Sequence, residues 1–569
     1  MAIVTESREL REVLRSCRTN YVFATWFHTI STALTFTYIL YMINVFDRAV
    51  PSRSYQTLVA LFVGACIALS FKGIFSYVRT NLLIKATLRL DKVLSGRTFR
   101  ALMEKSASQR DETGAQPLRD LAMFRQFFCG SGALTAMSLP WVGVFLALLY
   151  MIYFWVGVLA TVFLFVNIGL TLFQMALTRQ TIEAASAASF AAIRVAEANV
   201  RSADAAVGMG LLAGLTQRWL RSNDVAIAAE AQGGITGAKF ASFQEPFGYF
   251  ERISIITVLA LGLISGDLNM GVAFSAIIVF MMMMGPVYQV LHGWESYLGA
   301  KEAGERLAGL YEQFPVPAVM MPLPRPKGEL AIRNVSYMPR GAPKPILRNI
   351  TFGALPGTSI AIVGPIGSGK SSLVRLIMGI VRPSAGEIRL DGVDLWSWDR
   401  ADLGRHIGYL PQDIGLLTGS VAENIGRFGT FGEREVVEAA VRAGCHELIL
   451  KLPQGYDTPV GEGGHPLSGG QRQLIGLARA VVGRPAFVVL DEPNAALDGP
   501  GEASLVSCIA ALKELEATVV MVSHRPTLVQ HLDRVALLRD GELQLVVTAE
   551  EFMKRSGRPL SLRMVKDEA

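Results

Sequence analysis

Thr358 to Ser371 reads TSIAIVGPIGSGKS, a short strand-forming run that ends in Gly364-Pro-Ile-Gly367-Ser368-Gly369-Lys370-Ser371. The spacing fits G-x-x-x-x-G-K-[ST], and the apolar sequence that follows, SLVRLIMGIV at 372–381, continues it as a helix. A strand, a glycine loop and a helix in that order form a phosphate cradle. The glycines let backbone N–H groups come close, and the helix N-terminus favours an anion. On this reading Gly364, Gly367, Ser368, Gly369, Lys370, Ser371 and Ser372 bind nucleotide, with Lys370 reaching the β and γ phosphates of ATP and Ser371 binding Mg²⁺. The plainer alternative is a glycine turn that happens to carry Lys and Ser; the flanking strand and helix argue against it.

Outward from this stretch, Phe487-Val-Val-Leu490 is a continuous apolar run, as in a strand buried on both faces, and it ends in Asp491-Glu492. Carboxylates at the carboxyl end of a central strand can reach Mg²⁺ and a water on the γ-phosphate, so Asp491 suits the metal, through water, and Glu492 suits the base. Between the two motifs lies Leu467-Ser468-Gly469-Gly470-Gln471-Arg-Gln473, followed by helical sequence. Ser468 and the N–H groups of Gly469, Gly470 and Gln471 would sit at a helix N-terminus, which makes a second phosphate-binding device. One nucleotide does not need two cradles within one subunit.

The sequence before this region has a different character. A Pro-rich segment, FPVPAVMMPLPRPK at 314–327, separates it from the α/β nucleotide-binding domain. The chain has 569 residues, 51% hydrophobic and 18% charged. With a mean hydropathy of +0.36, part of it must face lipid. No Asp, Glu, Lys or Arg lies between Arg18 and Asp47, or between Gln126 and Thr178, and the second run is long enough to cross twice. Six spans are expected, at about 21–46, 54–74, 132–153, 157–178, 246–266 and 268–291, with Glu251 and Arg252 taken into the fifth. The expected organisation is a cytoplasmic segment 1–20, a membrane α-helical domain 21–312, a linker 313–328, the nucleotide-binding domain 329–556 and a tail 557–569.

The long loops between spans two and three and between four and five read as helix. Their far turns are expected near Asp111 to Pro117 and Arg201 to Gly210. Arg8, Arg11, Arg15 and Arg18 precede the first span and ten Lys or Arg lie from Arg79 to Arg125, so the positive-inside rule puts both termini in the cytoplasm of a multi-pass protein. The net charge of +6 is therefore at least partly a topology signal, and no nucleic-acid partner is expected. Cys17, Cys66, Cys129, Cys445 and Cys508 are scattered, as for buried, reduced thiols.

The two cradles in this order resemble the ATP-binding cassette (ABC) transporters, whose signature is LSGGQ. In that family two cassettes meet head to tail and share each ATP, so the resemblance implies a homodimer or a close heterodimer. It also implies roles for further positions. Tyr337 would stack on adenine, Gln412 would sense Mg²⁺ and the γ-phosphate, Leu497-Asp498 would form the D-loop, and His524 would contact the γ-phosphate.

Membrane spans ahead of a cassette in one chain resemble an exporter half-transporter. Gly-Glu462-Gly463-Gly before the signature, where the general exporter pattern has Arg at 463, is similar to the type I secretion exporters of the alkaline-protease and lipase subgroup. So are the stretch 408–429, Asp491-Glu-Pro-Asn494, and Val45 to Arg53. That resemblance implies ATP-driven export of an unfolded polypeptide with a C-terminal signal across the bacterial inner membrane. The partners it implies are a periplasmic membrane-fusion adaptor and an outer-membrane duct. With about twenty residues before span one, no leader peptidase domain, and so no leader cleavage, is expected. A lipid or hydrophobic small-molecule exporter would share every ATP-site motif and is the alternative.

Overall fold

The computed structural model describes residues 8–109, 114–316, 320–321, 323–339, 341–461, 464 and 466–556. Glu462, Gly463, the tail 557–569 and Asp111 to Thr113 of one expected turn lie outside the described residues. The chain forms two compact units, Met1–Val316 and Pro317–Ala569.

In the first unit a short helix, Arg8–Ser16, leads into six helices that, among the described residues, are long and apolar enough to cross a membrane. They cover Arg18–Ala49, Tyr55–Ser108, Gln116–Ile152, Phe154–Val200, Leu212–Ile264 and Met270–Gln313. Hydrocarbon offers no hydrogen-bond partners, so a crossing segment must satisfy its own backbone, which helices do. The 54-residue second helix rises ~80 Å, far more than a hydrocarbon core of ~30 Å, so the spans continue beyond the membrane as helix. Spans three and four are separated only by Tyr153, which is extended (φ −157°, ψ 118°). The turn joining the fourth and fifth helices contains the short helix Ala203–Gly208.

Two of the breaks in the spanning helices, Val45–Ala49 and Phe127–Ser131, are π-helical, and Gly130 in the second takes φ −122°, ψ −114°. Such bulges insert an extra residue into the ladder and often mark functional positions.

The membrane core packs Ile39, Phe145, Leu149, Phe163, Ile255, Leu259 and Met283 together. A separate cluster joins Leu10, Cys17, Leu90, Leu94, Phe124, Leu307 and Tyr311. It is reinforced by a bidentate pair in which Arg306 donates to the buried Asp120 at 3.0 and 2.8 Å. Cys17, Cys129, Cys445 and Cys508 are buried, but Cys66 is exposed. The most apolar part of span two, where Cys66 lies, contributes no buried residue, although its flank stacks Phe75 on Phe27 of span one.

Several polar side chains inside the spans are paired across helices. The Glu251 carboxylate in span five is 1% exposed; it accepts from the Asn167 amide of span four and from the Tyr288 hydroxyl of span six at 3.0 Å. His28 of span one meets Arg79 of span two at 3.0 Å and Ser138 of span three at 3.3 Å. The Asp47 carboxylate accepts the N–H of Gly271 at 2.7 Å, at the start of span six.

The second unit is α/β. Among the described residues its strands are β1 (Leu330–Tyr337), β2 (Leu347–Ala354), β3 (Ser359–Val363), β4 (Ala385–Leu390), β5 (Val393–Asp394), β6 (Ile407–Leu410), β7 (Gly419–Ser420), β8 (Pro459–Val460), β9 (Phe487–Asp491), β10 (Thr518–Val522), β11 (Arg534–Arg539) and β12 (Glu542–Thr548). The main sheet runs β12-β11-β3-β10-β9-β6, parallel except for β12, and β2-β1-β4-β5 form an antiparallel sheet. β9 and β10 are buried along their whole length between two apolar clusters, which is why both read as unbroken apolar runs.

Glu251 yields a stability test. Glu251→Leu leaves the Asn167 and Tyr288 side chains without their partner and is expected to cost about 1 kcal/mol. It should lower the melting temperature in detergent, whereas Glu251→Gln should keep most of the wild-type value; equal melting for all three proteins would remove Glu251 as a tie between spans.

Candidate functional site

The glycine loop spans the end of β3 and the start of the helix Lys370–Ile377. Its shape depends on missing side chains. A Cβ on Gly364 would lie 2.0 Å from the Leu538 carbonyl oxygen of β11, and Gly369 takes φ +97° as the left-handed residue before the helix. The loop wraps the Lys370 ammonium, which is 7% exposed and donates to the carbonyls of Gly364 at 2.8 Å and Pro365 at 2.9 Å. Burial holds the lysine below its usual pKa, while Glu492 and Asp491 act in the opposite sense.

Inside the same loop the Ser368 hydroxyl is buried with no hydrogen-bond partner among the described residues. An orphaned polar atom beside an ammonium and a helix start suits an anionic oxygen. Ser371 and Ser372 stand half-buried in the first turn of that helix, where N–H groups have no intrahelical acceptor.

Two strands away, β9 delivers its acids. Asp491 closes the strand at 3% exposure. Glu492 turns into the left-handed region (φ +50°), its N–H held by the Val522 carbonyl of β10 at 3.1 Å. Two of the other expected residues converge on it. The Gln412 amide, just past β6, donates to one Glu492 oxygen at 3.0 Å, and His524, just past β10, lies 3.7 Å from the other. Tyr337 ends β1 opposite Leu347 of β2, and Leu347 packs against Gly369, so the aromatic stands one strand from the loop.

The second cradle lies elsewhere. Ser468 caps the helix Gly469–Val481: its hydroxyl accepts the Gln471 N–H at 3.3 Å, while the Gln471 side chain accepts the Ser468 N–H at 2.8 Å. Gln471 therefore serves its own helix end as a capping box. Gly469 and Gly470 run beside Ala496 of the loop that follows Glu492. This helix packs on β6, at the far edge of the sheet from β12, whereas the glycine loop leaves β3, so the two cradles rise from different strands.

Three positioning residues carry no role in the sequence reading. Gln473, 4% exposed, donates to the Pro493 carbonyl at 2.7 Å and so ties the signature helix to the loop bearing Glu492. Arg427 donates to the carbonyls of Gly404, Ile407, Arg479 and Ala480, and burial pushes its pKa down to about 10. Asp533 accepts the N–H and hydroxyl of Ser359 at 2.8 and 2.6 Å and anchors the strand that feeds the loop. Only Gln473 had a visible signal, a second Gln inside the signature motif.

Six membrane helices joined to an α/β unit carrying a glycine loop, buried acids and a separately capped signature helix define an ABC exporter. Residues 347–495 match the ABC transporter family model. The fold is similar to that of a bacterial Atm1-family ABC exporter with ATP bound, at a TM-score of 0.79 and 21% identity, covering 95% of this chain and 97% of that one. The type I secretion system ATP-binding protein PrsD of Rhizobium meliloti is 32% identical over 548 residues, 96% of this chain and 94% of PrsD. Cyclolysin secretion/processing ATP-binding protein CyaB of Bordetella pertussis is 28% identical over 530 residues, 90% of this chain and 73% of CyaB. Leukotoxin translocation ATP-binding protein LktB of Mannheimia haemolytica is 29% identical over 517 residues, 88% of this chain and 71% of LktB.

The chain belongs to the type I secretion ATP-binding proteins of the ABC transporter family. It is a multi-pass membrane protein that binds ATP and couples its hydrolysis to transport.

The closeness of Gly364 to Leu538 makes a sharp test. Gly364→Ala is expected to abolish binding of a fluorescent ATP analogue, while Gly499→Ala, which has open space around it, should bind like wild type. Undiminished binding by Gly364→Ala would mean that the loop relaxes and its close approach is not required.

Proposed function

We propose that two copies of this chain export an unfolded polypeptide carrying a C-terminal signal across the bacterial inner membrane, with both termini in the cytoplasm. A periplasmic adaptor and an outer-membrane duct complete the path. The relatives named for cyclolysin secretion and leukotoxin translocation support a polypeptide cargo over a lipid or small hydrophobic molecule.

The observation that carries the ATP chemistry is the convergence of Gln412 and His524 on the Glu492 carboxylate. Glu492 takes the proton of the attacking water, and His524 contacts the γ-phosphate. Lys370 exchanges its two loop carbonyls for the β and γ phosphates, which are stronger, charged acceptors. The hydroxyl of Ser371, the carbonyl of Gln412 and the carboxylate of Asp491, through water, are oxygen donors of the kind Mg²⁺ takes, and the ion would neutralise phosphate charge. Tyr337 stacks on adenine. The presence of two phosphate cradles on different elements of one cassette supports a homodimer, in which Ser468 and the N–H groups of Gly469, Gly470 and Gln471 from one copy close over the ATP on the other.

Glu492→Gln is expected to bind ATP normally and to lose turnover by about 10²–10⁴-fold; unchanged ATPase would sink its role as base. For cargo, the ATPase of the purified protein is measured with a candidate C-terminal segment and with hydrophobic drugs. Stimulation by the segment supports polypeptide export, and stimulation by drugs alone overturns it.

A further inference from the structure

The first unit forms an open-sided cavity of about 1870 Å³ lined by the N-terminal helix, span one, the bulged start of span three, span four and span six. Its charged wall residues are Arg11, Arg15, Arg18, Arg179 and Lys301, five cations with no Asp or Glu among them. Arg179 pairs with Glu183 and Lys301 with Glu305, both pairs half exposed. Arg11, Arg15 and Arg18 make no ion pair among the described residues.

The five cations flank the apolar segments: the first three precede or open span one, and the other two follow the apolar parts of spans four and six. The rest of the wall is mainly apolar. Val22 and Trp26 of span one and Leu139 of span three are exposed within it, 46%, 64% and 45% respectively. The wall also includes Phe127, Phe128 and Ser131 from the π-helical break, where span three departs from a regular helix.

A cationic rim joined to an apolar wall fits a molecule with an anionic head and long apolar tails. An extended polypeptide fits less well, because its N–H and C=O groups would face an apolar wall with few partners. Acyl chains need none. Basic pockets between spanning helices at the cytoplasmic surface are known to suit anionic headgroups.

We propose that this cavity holds an anionic phospholipid of the inner leaflet, its phosphate among Arg11, Arg15 and Arg18 and its acyl chains along Val22, Trp26 and Leu139. The lipid is a bound constituent and not the cargo, so the proposal stands apart from the choice of exported substrate.

The full-length protein is reconstituted in nanodiscs made from equal parts phosphatidylcholine and phosphatidylglycerol, then extracted and examined by native mass spectrometry. Wild type is expected to retain phosphatidylglycerol selectively, and Arg11→Gln/Arg15→Gln/Arg18→Gln to retain at least about tenfold less. Equal retention of the two lipids, or equal retention by the variant, overturns the site. Because removing these charges also touches membrane insertion, a second measurement uses wild type alone. A photoreactive phosphatidylglycerol should label residues 11–29 and 131–140 more than the outward-facing Phe62 region of span two. Uniform labelling, or capture of an acidic polypeptide segment there in place of lipid, overturns the proposal.

Discussion

A buried ammonium organises the ATP unit. Lys370 sits almost out of water, and its charge is tolerable only because two loop carbonyls accept from it and two carboxylates lie near. Each feature around it serves that arrangement. Gly364 must lack a side chain so that the loop can press against β11, Gly369 must turn left-handed to start the helix, and Asp533 must hold the foot of β3. Neutral carbonyls are a modest match for an ammonium, and phosphate oxygens are a stronger one, so the nucleotide enters a loop already shaped around the charge it will meet.

The sheet decides which residues can share that charge. β10 lies between β3 and β9, so the loops leaving the three strands open side by side. Glu492 turns through a left-handed conformation to bring its carboxylate toward Gln412 on one side and His524 on the other. Such a backbone costs of order 1 kcal/mol or more in a residue with a Cβ, and it persists where surrounding contacts impose it. Here the Val522 carbonyl holds the Glu492 N–H, and Gln473 fixes the next carbonyl, that of Pro493.

Most of this was legible in the chain because the signals are local. The glycine spacing, the buried run before Asp491 and the uncharged spans each declare themselves within about twenty residues. What stayed hidden depends on partners distant in sequence. The start of span five could not be placed from charge, since Glu251 is accommodated by Asn167, 84 residues away, and by Tyr288, 37 residues away. Arg427 gives no sign in sequence that it feeds four carbonyls, because backbone acceptors have no residue signature. Gln471 was the opposite case: S-x-x-Q is itself a capping pattern, and reading it only as a phosphate contact overlooked the local role its side chain plays.

The polar groups within the spans obey one rule in different settings. Hydrocarbon leaves a carboxylate no solvent, so Glu251 draws its hydrogen bonds from two neighbouring helices and thereby ties spans four, five and six at one depth. Tyr288 belongs to both this tie and the cavity wall. A molecule lodged in the cavity touches a ring whose hydroxyl is already committed to Glu251, two residues beyond the Pro286 that removes a rung from the same helix. Where a helix lacks a backbone hydrogen bond, side-chain contacts on either side govern its direction. Tyr288 thus places one hydroxyl in the tie among spans four, five and six and its ring on the cavity wall.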